Sequence, residues 1–153
     1  MNMSQNCIRS NAKHPDFISL VKQLDKELAE RDGKDHAFYT QFNSIENIDH
    51  TVLIYNGDKA VGCGAMKPFN DNSMEIKRMF TTPEARGQGI ATRILSELEN
   101  WAKTLQYQKC VLETGKRQPE AIVLYKRNGY KSIPNYGQYA KVENSLCFEK
   151  KLL

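Results

Sequence analysis

The stretch from Met74 to Leu105 constrains this chain more than any other, because it joins three unlike signals without a gap. Met74-Glu75-Ile76-Lys77-Arg78-Met79-Phe80-Thr81-Thr82 reads as a strand, and Pro83-Glu84-Ala85 as a turn. Arg86-Gly87-Gln88-Gly89-Ile90-Ala91 follows. Then Ile94, Leu95, Leu98, Trp101, Ala102 and Leu105 recur at steps of one, three and four, the apolar face of a helix. A glycine-rich turn therefore sits where a strand feeds a helix. The first amides of a helix lack carbonyl partners and lie at the positive end of its dipole, and glycines let an anion approach them closely. With Arg86 beside it, this element suits a pyrophosphate.

The turn is not the nucleoside-triphosphate loop, since no Gly-Lys-Ser/Thr follows. It also lacks the three spaced glycines and later acidic residue of the dinucleotide fingerprint. Arg86-x-x-Gly89-x-Ala91 instead resembles the acyl-coenzyme A signature of the GNAT superfamily of N-acetyltransferases. Gln118-Pro119-Glu120-Ala121-Ile122-Val123-Leu124-Tyr125-Lys126-Arg127-Asn128-Gly129-Tyr130 resembles that family's Asn-x-x-Ala-x-x-Leu-Tyr-x-x-x-Gly-Phe segment. Gln118 stands where Asn is usual and Tyr130 where Phe is usual. The resemblance covers residues 50 to 151.

The resemblance implies a mixed α/β (α+β) fold, with a central, splayed, mostly antiparallel sheet flanked by helices. It implies acetyl-CoA as cosubstrate, direct transfer to a primary amine in a ternary complex, and a homodimer. The acceptor expected is a small or amino-acid-like molecule; a protein or peptide amine is the alternative. The coenzyme would lie against Met79, Phe80, Arg86, Gly87, Gln88, Gly89, Ile90, Ala91, Thr92, Gln118, Ala121 and Tyr125. The strands at 74–82 and 109–114 would splay apart. The pantetheine arm would then pair like an added strand, leaving a backbone N–H near Met79 or Phe80 to polarise the thioester carbonyl.

Amine transfer also needs proton movement. An alkyl ammonium has a pKa of about 10.4 in water, and only the free amine attacks. Glu75, at the start of the strand, is the first candidate base; the plainer reading is a solvated carboxylate paired with Lys77. Glu113, at the C-terminal end of the neighbouring strand, is the second, as base or as anchor for the acceptor ammonium. Tyr125 matches the family tyrosine that protonates the leaving thiolate; otherwise it is a packed aromatic. Strand alternation sends Lys77 and Arg78 to opposite faces. Whichever faces the pocket could pair with an acceptor carboxylate, although a solvent-exposed charge is the plainer reading.

At 153 residues one domain spanning 1–153 is expected. The formal net charge of +4 is a mild bias toward anionic ligands, but Lys and Arg are spread along the chain. Nucleic-acid binding, which needs basic residues gathered on one face, is not expected. Cys7, Cys63, Cys110 and Cys147 lack metal-ligand spacing. They read as reduced thiols of a cytoplasmic protein with no metal. No signal-like or membrane-spanning run is present. A catalytically silent acyl-CoA sensor is the alternative class, and retention of a base and Tyr125 argues against it.

The remaining elements follow from local signals. Cys7-Ile8-Arg9 suggests an edge strand. Phe17, Leu20, Val21, Leu24 and Leu28 form one helix face from Pro15 to Arg31, stopped by Gly33. Phe38, Tyr39 and Phe42 lie in a short helix or loop and either pack or wall an acceptor pocket. Strands at 51–55 and 60–66 flank an Asn56-Gly57 turn signal, with a turn lengthened by Asp58-Lys59 as the alternative. Gly62 and Gly64 leave one strand face bare for a helix or ligand. A helix at 119–128, strands at 131–133 and 145–149, and a loop at 134–144 complete the chain.

Overall fold

A computed structural model describes residues 5–40 and 48–152. The elements are β1 (Gln5–Ser10), α1 (Pro15–Asp32), α2 (His36–Thr40), β2 (His50–Asn56), β3 (Lys59–Asn70), β4 (Ser73–Thr81), α3 (Ile90–Thr104), β5 (Lys109–Gly115), α4 (Pro119–Arg127), β6 (Lys131–Ile133) and β7 (Ser145–Lys151). Among the described residues seven strands form one sheet in the order β1-β2-β3-β4-β5-β7-β6. Among these strands β4 and β5 pair in parallel and the other neighbours antiparallel, with α3 as the crossover between β4 and β5.

Two helices cover opposite faces. α1 begins at Pro15, with His14 Nδ1 accepting from the Asp16 amide, and ends where Gly33 at φ 54° returns its N–H to Ala29. Phe17, Leu20, Val21 and Leu24 pack on Leu53, Cys63, Ala65 and Phe80. On the other face Ile90, Ile94, Leu95 and Leu98 of α3 meet Val52, Ile54, Met66, Met74 and Ile76. The bare face of β3 belongs to this helix. A Cβ on Gly62 would lie 2.7 Å from Ile90 Cγ2, and one on Gly64 2.6 Å from both Ile94 Cγ2 and Met79 Sδ. Glycine is required there because the helix rests on the strand backbone. Leu105 departs from the expected face: it caps α3 and is exposed.

The hairpin after β2 turns on Gly57-Asp58 rather than Asn56-Gly57, and β3 runs on to Asn70. Residues 36–40 are helical, whereas Phe42 lies outside the described residues. The strand at 145 extends to Lys151 and inserts between β5 and β6.

Two irregularities in β4 shape the centre of the sheet. β4 pairs with β5 only through Ser73, Met74 and Glu75. Beyond Glu75 the strands part, while β5 remains paired with β7 as far as Gly115. On its other edge β4 carries one extra residue between Lys77 and Phe80, opposite Ala65 and Cys63. Arg78 takes φ 59° within this bulge. The bulge corrects the expectation that Lys77 and Arg78 point to opposite faces. Met74 and Ile76 face α3, so Glu75 and Lys77 face α1; Arg78 also faces α1, where it pairs with Asp25. Neither cation is solvated: their side chains are 8% and 3% exposed.

Gly64→Val should lower unfolding stability by about 1–3 kcal/mol through overpacking against α3. Urea denaturation at constant slope measures this; an unchanged midpoint would contradict the close approach of helix and strand.

Candidate active site

Where β4 and β5 part, two hollows open into the gap. The larger, about 620 Å³, is a cleft between the N-terminal end of α3, the end of β4 and the length of α4. The smaller, about 100 Å³, lies under α1 between β4 and β5. Leu24, Met79, Gln118 and Tyr125 line both, so the hollows meet at these four side chains.

The cleft is built from the glycine turn. Gly87 and Gly89 have φ of 80° and 79°, values that disfavour other residues. A Cβ on either would meet nothing within 4 Å, so these glycines face open space. The amides of Ile90, Ala91 and Thr92 precede the first helical donor, the Arg93 N–H that bonds the Gly89 carbonyl, and no side chain caps them. They form a row of donors at the positive helix end. Arg86 stands at the rim, its Nε donating to the Thr81 carbonyl at 3.0 Å and Nη2 to Glu27 at 2.7 Å. Of the residues expected to hold coenzyme, Met79, Phe80, Arg86, Gly87, Gly89, Ile90, Ala91, Thr92, Gln118, Ala121 and Tyr125 line the cleft. Gln88 does not; it is exposed at the apex of the turn.

The smaller cavity is lined by charged side chains largely removed from water. Glu75, Lys77, Arg78 and Glu113 line it, with Tyr125 and Tyr139. Glu75 is buried, not solvated as its plainer reading supposed. Its Oε2 accepts from the Tyr136 hydroxyl at 2.7 Å, and Lys77 Nζ lies 3.8 Å from Oε1. Glu113 Oε2 accepts from Ser145 Oγ at 2.7 Å; that hydroxyl also meets the Tyr39 hydroxyl at 3.0 Å. Burial pushes the Glu113 carboxyl up to about 7, against the lowering effects of the Ser145 bond and the Lys77 charge. Tyr125 is buried at the junction, and burial plus the Glu113 charge raises its hydroxyl above its ordinary value. It packs on Tyr130 and Phe148, ring centroids 5.9 and 6.4 Å away. Tyr125 therefore keeps its proton at neutral pH.

Tyr39 packs and also braces: it holds Ser145, which holds Glu113, and it does not line the cavity. Phe38 packs beside it against the Tyr139 cluster. Asp25, Tyr136, Tyr139 and Ser145 were not signalled as site residues by sequence. Tyr136 and Tyr139 lie in a segment without periodicity, and Ser145 reaches Glu113 only because β7 inserts beside β5. Cys63, Cys110 and Cys147 are buried and unbridged, and Cys7 is partly buried. Among the described residues no cluster of three or more His, Cys, Asp or Glu could hold a metal. No helix among them is long and apolar enough to cross a membrane.

Known proteins share this architecture. The Acetyltransferase (GNAT) family model matches residues 18–130. An IAA acetyltransferase of Azospirillum brasilense is 30% identical over 137 residues, covering 88% of this chain and 90% of that protein. A crystal structure from Klebsiella pneumoniae, assigned as an acyl-CoA N-acyltransferase, superposes with a TM-score of 0.83 at 27% identity. It covers 99% of this chain and 100% of its own. A GNAT family acetyltransferase from Elizabethkingia anophelis, solved with acetyl-CoA bound, has a TM-score of 0.67 at 17% identity over 96% and 97% of the chains. The expected fold class is the observed one. The chain belongs to the GNAT family of acetyltransferases and is an acyltransferase.

Proposed function

We propose that this acyltransferase uses acetyl-CoA to acetylate a primary amine of a small or amino-acid-like molecule, by direct attack in a ternary complex. The observation that carries the reading is the meeting of the two hollows at Leu24, Met79, Gln118 and Tyr125. A long donor in the cleft and a small acceptor in the charged cavity would bring their reacting atoms together there. Such positioning turns a bimolecular encounter into a local one.

The pyrophosphate would sit on the amides of Ile90, Ala91 and Thr92, close to Gly87 and Gly89. The edge of β4 that faces β5 has no strand partner beyond Glu75, which suits an extended pantetheine arm. An amide at Met79 or Phe80 would then polarise the thioester carbonyl. Tyr125 would donate its proton to the leaving sulfur. For the base, geometry favours Glu113 over Glu75. Glu75 is already engaged by Tyr136 and Lys77, whereas Glu113 meets one hydroxyl, that of Ser145, among the described residues and titrates near neutrality. A base is most effective when its pKa lies near the working pH.

Two experiments test this reading. Gly89→Asp places a carboxylate in the open space of the cleft, where it would repel phosphate, on a backbone at φ 79° that disfavours a side chain. Acetyl-CoA affinity by calorimetry should fall at least a hundredfold while the protein stays folded; wild-type affinity in this variant would remove the pyrophosphate site.

The second concerns pH. Activity requires Glu113 deprotonated, so the rate should rise as pH increases through about 7. Glu113→Gln should abolish that limb and lower the rate by about 10²–10⁴-fold. Glu75→Gln should leave the limb in place; loss of the limb in Glu75→Gln alone would transfer the base role to Glu75.

A further inference from the structure

Arg78 has a hydrogen-bond donor to spare. Its side chain is almost wholly buried, lines the small cavity, and pairs through Nη2 with Asp25 of α1. Nε is buried with no partner among the described residues. A buried donor left unmade is costly, more so on a charged group. A structural tie from β4 to α1 accounts for the Asp25 pair alone. It does not account for Nε, nor for the left-handed backbone that turns Arg78 onto the cavity side. The other cation of the cavity, Lys77, faces Glu75, which Tyr136 also holds. Arg78 is thus the cavity's cation with an unmet need for an anion, and Glu113 is its carboxylate with no cation within pairing distance among the described residues.

We propose that Arg78 binds the carboxylate of a compact amino-acid acceptor whose amino group lies at Glu113. This rests on the acetyl-CoA reading above and names the acceptor class. A guanidinium matches a carboxylate in shape and charge, and a second N–H directed at it fixes orientation. The cavity of about 100 Å³ is about three times the roughly 30 Å³ share of one water in the liquid, and it continues into the cleft at Leu24, Met79, Gln118 and Tyr125. That is room for an amino acid with a small side chain.

The transfer balances. The ammonium gives one proton to Glu113, and the free amine forms the N–C bond to the acetyl carbon. The C–S bond breaks with its electron pair on sulfur, which takes the Tyr125 proton. The second N–H proton restores Tyr125, and Glu113 releases its proton to water. The products are an N-acetylamino acid, coenzyme A thiol and one proton. Arg78 forms no bond to a reacting atom; its task is to set which amine is presented.

The test follows thiol release from acetyl-CoA with small α-, β- and γ-amino acids. Each is compared with the amine lacking the carboxylate and with the carboxamide. In the wild-type protein kcat/KM for the best amino acid should exceed that for its carboxylate-free amine at least tenfold. In Arg78→Met this ratio should fall to near one. The ratio is taken within each protein, so a general loss of activity cancels. Arg78→Lys, which keeps the charge without the fork, should give an intermediate ratio and serves if Arg78→Met does not fold. A wild-type ratio near one with amines still acetylated overturns the carboxylate site and leaves the transferase reading standing. A ratio preserved in both variants also overturns it, as does failure of every amino acid in the set. Loss of acetyl-CoA binding itself would instead strike the reading on which the proposal rests.

Discussion

β4 cannot remain paired with both neighbours along its whole length, and the rest of the site depends on that conflict. On one edge it must accommodate an extra residue against β3, which bends the strand and increases its twist. On the other edge β5 is held by β7 as far as Gly115 and does not follow. The parallel ladder stops at Glu75 and Val111. One extra residue in one strand thus has two results. It opens the gap between β4 and β5, and it turns Arg78 to the same side as Lys77. Gly62 and Gly64 make the bend tolerable from behind, because α3 can seat directly on the β3 backbone and carry the glycine turn to the mouth of the gap.

The opened gap is bordered by charges that a folding protein would not choose for stability. Glu75, Lys77, Arg78 and Glu113 are all largely removed from water. Burial of charge is offset only where partners are close. The arrangement here is uneven: Glu75 is well met, Glu113 is met by one hydroxyl, and Arg78 keeps an unused donor. The raised titration of Glu113 is the measure of that unevenness. Its folded-state pKa lies above the unfolded value, so its contribution to stability is full below the unfolded pKa and is lost as pH rises through about 7. The ionised form, which the proposed base role requires, is therefore the form that destabilises the fold. Strain of this kind commonly gathers at functional sites.

Much of the scaffold was legible in the residues. The face of α3, the glycine turn, the proline start and glycine stop of α1, and the crossover from β4 to β5 each had a local signal that tertiary packing then respected. The bare glycines of β3 announced a close neighbour, although not whether it was a helix or a ligand. The bulge was not legible: positive φ at an arginine leaves no mark in sequence, since glycine or asparagine would be the usual sign. Nor could periodicity show that β7 enters between β5 and β6. That insertion brings Ser145 to Glu113, and the segment between β6 and β7 delivers Tyr136 to Glu75. Glu75 and Glu113 were visible as candidates, but their difference lies in partners that only the folded chain supplies.

The central claim is that the parted strands and the glycine turn form one continuous donor channel. Amide hydrogen exchange, measured with and without saturating acetyl-CoA, tests it most directly. The account predicts slower exchange at Met79–Thr81 of β4 and at residues 87–92 together, with β1 and β2 unchanged. Protection confined to one of those segments, or none at either, would contradict it.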